Sequence, residues 1–499
     1  MSLERDIAGR YLKRPTPRSP RWHLITLGLV SVALAARGLE WAWSRGWIGR
    51  AHDIFAPAPI WPTFFRWLFI GGLVTAVLVG FLILLLRHLT IFTAISTYGL
   101  FLGTAALVVV LSVMSGFEQD LKQKILGANA HIVVTTPNRP FLNHQEIEAK
   151  IEAAIEGKIA PFISSEVMVS SQSNLAGVVL KGIDPESASG VTELGKNMKQ
   201  GSIGYLAHPE KIEAVGNPLE DPPLPLPAAP RRVLPGLIVG RELAKSLRLF
   251  VGDEVNVISP MGDIGPAGPM PKSRAFRIAG VFFSGMYEYD TKSAYMALGE
   301  AQRFLGLEDE ITGIEARIAD ADRTEAAVDR IRAALPGGDF EVRDWKELNR
   351  NLFSALRVEK IAMFVVLCFV ILVAGFSIVA NGFMLVREKR RDIAILKAMG
   401  AGDGKLMRLF LYMGSYMGAI GIGAGVLTGT VACLLLRRYG LISLDSNVYY
   451  ISQLPVQMDV REIIAVVGAA LTIVLAATIL PALEAAHLRP VDGLRQDQG

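Results

Sequence analysis

Long apolar runs alternate along this chain with stretches of ordinary globular composition. Runs long enough to cross a bilayer lie at about 22 to 42, 64 to 86, 91 to 114, 359 to 386, 408 to 435 and 462 to 485. Each approaches the ~20 residues a helix needs to span ~30 Å of hydrocarbon. Arg37 cuts the first run, and Trp41, Trp43 and Trp47 follow it in the pattern of an interfacial belt. Between the third and fourth runs, Glu118 to Arg357 has no long apolar segment and predicts a separate water-exposed domain. Its two flanks look alike. HIVVTT (131 to 136) precedes a helical pattern with Ile147, Ile151 and Ile155 on one face, and ITGIEARI (311 to 318) precedes one with Val328, Ile331 and Leu335. Two strand–helix units bracketing the insert predict one mixed α/β subdomain built from both ends. Between them, GVVLKGID (177 to 184), DEVNVIS (253 to 259), RAFRIAGVFF (274 to 283) and SAYMAL (293 to 298) predict a β-rich middle.

Two loops interrupt that middle. NPLEDPPLPLPAAPRRVLP (217 to 235) holds seven prolines and predicts an extended, polyproline-like excursion. SPMGDIGPAGPMPKSR (259 to 274) is rich in Gly and Pro and carries Met261, Met270, Lys272 and Arg274; a plain surface connection is the alternative reading of such a loop.

Composition agrees with this patchwork. The 499 residues are 51% hydrophobic with mean hydropathy +0.37, too apolar for a soluble domain, yet 20% are charged, close to the soluble norm. The two populations must be segregated along the chain. A net charge of +4, with no basic stripe interleaved with stacking aromatics, excludes nucleic acid as a partner. Residues 1 to 21 and the loop 387 to 405 carry six Lys/Arg each, against three in 436 to 461, so the first two are assigned to the cytoplasm. Both termini are then cytoplasmic and the large domain lies outside. Cys368 and Cys433 sit inside apolar runs and read as buried thiols.

No catalytic constellation emerges. GAGDGKLM (400 to 407) fails as a phosphate-binding loop, because Met399 replaces the first glycine and Leu406 replaces the Mg²⁺-ligating hydroxyl. No HExxH or GxSxG motif is present, and the seven His have no ligand spacing, so neither catalytic residues nor a metal site is expected. Membrane geometry carries more. Gly414 and Gly418, then Gly421, Gly425 and Gly429, repeat every four residues on the fifth run, which lets helix backbones approach, either within the chain or between two copies. In DIAILKAMG (392 to 400), Ile393, Leu396 and Met399 share one face of a short helix preceded by Arg387, Lys389, Arg390 and Arg391. So short an amphipathic helix suits a partner's socket better than a bilayer surface.

Several strings resemble the lipoprotein-releasing permeases LolC and LolE, of the wider MacB/FtsX-like class of ABC transporter permeases. They are ISTYGLFLGTAALVVVLSVMSGFEQDLKQKILGANAHIVV (95 to 134), GVVLKGIDP (177 to 185), GMYEYD (285 to 290), RVEKIAMFVVL (357 to 367), EKRRDIAILKAMGA (388 to 401), VYYISQLPV (448 to 456) and RPVDGLR (489 to 495). IAGRYLK (7 to 13) resembles the family's N-terminal amphipathic segment.

The resemblance implies an α-helical transmembrane bundle of four core spans with a large periplasmic domain after the first, the MacB-type (type VII) architecture. Here it would comprise a cytoplasmic segment 1 to 21, an extra hairpin 22 to 86, a first core span 87 to 116, a periplasmic domain 117 to 357 and a three-span segment 358 to 499 with a coupling helix at 387 to 402. The extra N-terminal pair departs from the family pattern. Implied partners are two copies of a separate ATPase, LolD, which would bind ATP and Mg²⁺, leaving this chain without a cofactor. A second permease subunit, the soluble carrier LolA, triacylated lipoproteins and membrane lipid complete the set. The coupling helix would seat in the ATPase through Arg387, Lys389, Arg390, Arg391, Ile393, Leu396 and Met399. Met261, Met270, Lys272 and Arg274 fall at the family's carrier-binding hook. The lipid cavity maps to Leu107, Val110, Met114, Met363, Phe364, Leu367 and Phe376, for each of which core packing is the alternative. A mechanotransmitting permease that drives a periplasmic hydrolase, or an efflux pump, is the rival reading.

Overall fold

The computed structural model describes residues 23–44, 60–137, 140–142, 144–212, 233–260, 264–265, 268–269, 271–335, 340–439 and 454–489. The tail 1 to 21, Met261, Met270, most of the proline-rich segment and everything beyond Arg489 lie outside them. The main helices are α1 (His23–Ser44), α2 (Ile60–His88), α3 (Ile91–Ala128), α4 (His144–Ala154), α5 (Arg241–Leu247), α6 (Tyr287–Lys292), α7 (Leu298–Leu305), α8 (Thr324–Ala334), α9 (Arg350–Glu388), α10 (Arg390–Ala398), α11 (Asp403–Tyr439) and α12 (Val460–His487). The chain divides into two units, one holding residues up to Phe117 with most of the chain after Arg357, the other built chiefly from Glu118–Leu356.

In the first unit, five helices among the described residues are long and apolar enough to cross a membrane, namely Phe64–His88, Ile91–Ala128, Arg350–Glu388, Asp403–Arg438 and Val460–His487. The expected run at 22 to 42 forms α1, which stands outside those five. Arg37 and Glu40 pair at 2.5 Å within it, and Arg66 of α2 reaches the same carboxylate at 3.5 Å. Small residues set the spacing of this hairpin: Gly72 faces Ala33 and Gly80 faces Thr26, an antiparallel register. Phe81 of α2 then stacks on Phe101 of α3, ring centroids 4.3 Å apart. Helix α9 packs on α3 through Ile371 and Ala374 against Gly103 and Gly99, and on α12 through Gly375 and Gly382 against Ile473 and Pro481.

The SVMSGFE string gains a physical reason here. A Cβ on Gly116 would lie 2.3 Å from the Pro455 carbonyl oxygen, because the segment leading into α12 lies directly on α3 and Gln457 N–H donates to Ser112 O at 2.9 Å. Gly116→Val is therefore expected to cost about 1–3 kcal/mol through overpacking, read as a lower midpoint in thermal unfolding of the detergent-purified chain.

The second unit is organised by one long strand. β2 (Gly157–Ser170) pairs through its first half with β11 (Gly313–Ile318), which continues to β1 (Ile132–Thr135) and β12 (Glu341–Asp344), all antiparallel. Helices α4 and α8 pack on this sheet through Ile151, Ile155, Val328 and Ile331. Both ends of the insert thus form one α/β layer, as the repeated strand–helix pattern predicts.

The second half of β2 enters a closed ring. It pairs with β3 (Leu175–Ile183), then β10 (Ser293–Ala297), β5 (Gly236–Gly240), β9 (Lys272–Phe282) and β6 (Glu254–Ser259), which returns to β2. Each strand of this six-stranded barrel buries a pair two residues apart: Val167 and Val169, Val178 and Leu180, Ala294 and Met296, Leu237 and Val239, Phe276 and Ile278, Val255 and Val257. Period-two alternation alone fills such a small barrel. β4 (Met198–Gly201) adds to the outside of β9.

Candidate functional site

Three surfaces carry the sequence-predicted residues, and the first is α10. Its cap is a Schellman-type turn: Gly400 takes φ +94°, Ala401 N–H donates to Leu396 O, and Gly400 N–H donates to Lys397 O, each at 3.0 Å. Only glycine adopts that backbone freely, which fixes the glycine of the KAMGA string. The expected face is not presented outward as a unit. Ile393 is fully buried and Leu396 packs against the bundle core, whereas Met399 is 74% exposed. The chain's own bundle competes for the apolar face and takes its first two residues, so the outward apolar pair is Met399 with Ile395. Arg387 and Arg391 are exposed, Lys389 and Arg390 half-buried, and Lys389 pairs with Asp392 at 3.6 Å.

The second surface is the open side of α9. Ile361, Val365, Phe369, Val373 and Phe376 recur at helical spacing, all exposed, opposite the face that meets α3 and α12. Of the residues expected at a lipid cavity, Phe376 (66% exposed) lies on this stripe, whereas Met363 (41%), two residues from both Ile361 and Val365, is exposed on another side of the helix. Phe364 and Leu367 turn partly into the core, Val110 and Met114 are half-buried, and Leu107 is fully buried in helix packing. At one end of α9, Lys360 pairs with Glu462 of α12 at 2.6 Å, and both Glu462 oxygens accept from Ser115 Oγ of α3 at 2.8 Å. Three helices are thereby tied together by a polar cluster that sequence reasoning missed, because its members lie far apart in the chain.

The third is the 259 to 274 excursion. It links β6 to β9, and its described part includes a miniature hairpin of β7 (Ile264–Gly265) and β8 (Gly268–Pro269). Lys272 opens β9 opposite Ser259 and is half-buried. Arg274 sits on the strand itself, its guanidinium 3.0 Å from Glu300 and over the Phe276 ring at 5.6 Å. Held by that carboxylate, Arg274 belongs to the hairpin's base.

The repeated glycines of α11 all meet helices of this chain. Gly414 and Gly418 face Thr478 and Val474 of α12, while Gly421, Gly425 and Gly429 face Leu100, Thr104 and Val108 of α3. A Cβ on Gly414 would lie 2.1 Å from Thr478 Oγ1.

GMYEYD is a folding device. Gly285 adopts φ +77°, and Asp290 Oδ1 accepts from Ser284 N–H and Ser284 Oγ, both at 2.8 Å. The other oxygen, Oδ2, is buried without a hydrogen-bond donor among the described residues, and Arg241 lies nearby with its guanidinium 3.8 Å over Phe283. Burial raises the Asp290 carboxyl above the usual range, with the Ser284 bonds and Arg241 opposing it. The folded state therefore holds this proton more tightly than the unfolded chain. Its contribution to stability is full below the unfolded pKa of ~3.9 and is lost as pH rises through the folded value. Asp290→Asn is expected to flatten the decline on this limb, as measured by thermal unfolding of the detergent-purified protein from pH 4 to 8.

Residues 93–334 match the MacB-like periplasmic core domain and 364–490 the FtsX-like permease C-terminal domain. The lipoprotein-releasing system transmembrane protein LolC of Neisseria meningitidis is 30% identical over 422 residues, covering 81% of this chain and 94% of that protein. The chain belongs to the LolC/LolE family of lipoprotein-releasing permeases. LolE of Haemophilus influenzae is 27% identical over 414 residues, covering 80% of this permease and 93% of its relative. The periplasmic region of MacB from Actinobacillus actinomycetemcomitans aligns with 46% of the permease and 94% of itself, at 12% identity and TM-score 0.28. Like these relatives the permease is a transmembrane subunit of the inner membrane, and its apolar helices supply the membrane part. Among the described residues, no cluster of His, Cys, Asp or Glu is arranged to hold a metal.

Proposed function

We propose that this permease extracts triacylated lipoproteins from the outer leaflet of the inner membrane and passes them to a soluble periplasmic carrier, driven by two copies of a separate ATPase. Family membership carries this reading. The termini and α10 would be cytoplasmic and the barrel domain periplasmic. At ~0.8 kcal/mol per CH₂, three chains of about fifteen methylenes each are held in the bilayer by roughly 35 kcal/mol. Escape through water is therefore closed, and the acyl chains need an apolar surface throughout. The open stripe of α9 supplies one, completed by a second permease subunit. The ATPase pair would seat against Ile395 and Met399 and move the helices as it closes.

The excursion at 259 to 274 is assigned to carrier capture. Lys272→Glu in the reconstituted complex is expected to lower carrier-dependent release at least about tenfold, one reversed charge at an interface, while ATP hydrolysis continues. Native release from this variant would remove the hook assignment. The FtsX-like C-terminal match keeps a second reading in view, a permease that drives a periplasmic hydrolase. Pull-down with the carrier and with cell-wall hydrolases separates the two.

A further inference from the structure

We infer that Lys397 is the positioning residue through which movement of α10 reaches the last two spans. Its ammonium group has three protons to donate, and three acceptors surround it. Nζ lies 2.5 Å from Ala486 O and 3.0 Å from Leu488 O, both at the C-terminal end of α12, and 2.8 Å from Asp403 Oδ1 at the first residue of α11. The side chain is only 12% exposed. The last carbonyls of a helix lack intrahelical donors and carry the negative end of its dipole, so a cation there satisfies both needs. The Asp403 carboxylate in turn sits at the positive end of α11.

One side chain thus joins α10, which carries it, to the end of one span and the start of another. Without it, α10 would connect to α11 through the four residues Met399 to Gly402, a link with two glycines that can absorb rotation. Ile393 and Leu396 add apolar contact to the same bundle but give no directional bond. A push on the exposed Ile395 and Met399 side is then delivered to α11 and α12 as a unit. The inference rests on the ATPase-driven reading above for the source of the push.

The test is the native complex in proteoliposomes, scored as lipoprotein released per ATP hydrolysed. Lys397→Met is expected to lower that ratio by about tenfold or more, the scale of losing charge-assisted hydrogen bonds, while the ATPase stays bound and active. Lys397→Arg, which keeps donors for both carbonyls and carboxylate, is expected to restore most of it. A native ratio in Lys397→Met overturns the inference. So does loss of the ATPase from the purified variant, since Lys397 would then belong to the ATPase seat.

If Lys397→Met does not accumulate, Asp403→Asn keeps both carbonyl bonds and is expected to lower the ratio severalfold; a native ratio there is equally fatal. A second readout needs no lipoprotein. With Cys368→Ala and Cys433→Ala, spin labels at Ala398→Cys and Leu483→Cys are expected to keep one distance with and without a non-hydrolysable ATP analogue in the native background, and to separate or broaden in Lys397→Met. Equal behaviour of the two backgrounds overturns the clamp. Should the native complex release no lipoprotein, the functional reading fails while the label distances still decide the role of Lys397.

Discussion

Replacing Ile395 and Met399 together by Asp is expected to strip the ATPase from the permease during co-purification while the permease itself remains in the membrane at native levels. Each side chain offers roughly 1.5–3 kcal/mol on full burial, and a carboxylate in the same apolar socket adds a desolvation penalty. Losing both contacts should weaken docking by at least about a hundredfold. Ile393→Asp is the contrasting variant. Ile393 is fully buried against this chain's own bundle, where an unpaired charge costs several kcal/mol, so the expected result is loss of the permease itself. Retention of the ATPase at native stoichiometry in the Ile395/Met399 double variant would refute the docking role of the exposed pair.

That pair also shows how far sequence reading reaches. Helical periodicity places Ile393, Leu396 and Met399 on one side of α10, but it cannot say which neighbour that side meets. Tertiary packing gives Ile393 and Leu396 to the bundle, and the shift exposes Ile395, a residue the pattern assigns elsewhere. The glycines of α11 were legible as close-packing positions, yet their partners Thr478, Val474, Leu100, Thr104 and Val108 follow only from the fold. In the second unit the alternating strands at 177 to 184, 253 to 259, 274 to 283 and 293 to 298 were readable, and all form. β2 was not, because Pro161 interrupts a run that reads as loop, and the strand tolerates it where it faces β11 alone, one residue before the pairing with β3 begins at Phe162. β5 was missed for a different reason: all five residues of GLIVG are buried, so no polar alternation marks them. Lys397 and the Lys360–Glu462–Ser115 cluster escape any local reading, since their partners lie up to 91 and 347 residues away, respectively.

Phe369→Asp combined with Phe376→Asp is expected to abolish lipoprotein release, at least about a hundredfold down, with the permease still inserted and its ATPase still bound. Both rings project from the open side of α9, 61% and 66% exposed, and among the described residues neither belongs to the packed core. A carboxylate at the centre of a spanning helix costs about 2.5–3.5 kcal/mol, so two of them make the stripe a poor substitute for lipid around acyl chains that demand continuous apolar contact. Insertion should survive, because the stretch from Ile361 to Phe383 remains strongly apolar and its other face is unchanged. Ile371→Asp, on the opposite side and fully buried against Gly103 of α3, should instead destroy the bundle and lower the amount of permease recovered. Phe369→Met with Phe376→Met keeps apolar volume in a more adaptable form and is expected to release lipoprotein near the native rate. Crosslinking of a photoreactive acyl chain to positions 369 and 376, and its absence at 371, would place the substrate on this face; native release by the double Asp variant would take the stripe out of the transport path and leave it as a surface for lipid or a partner subunit alone.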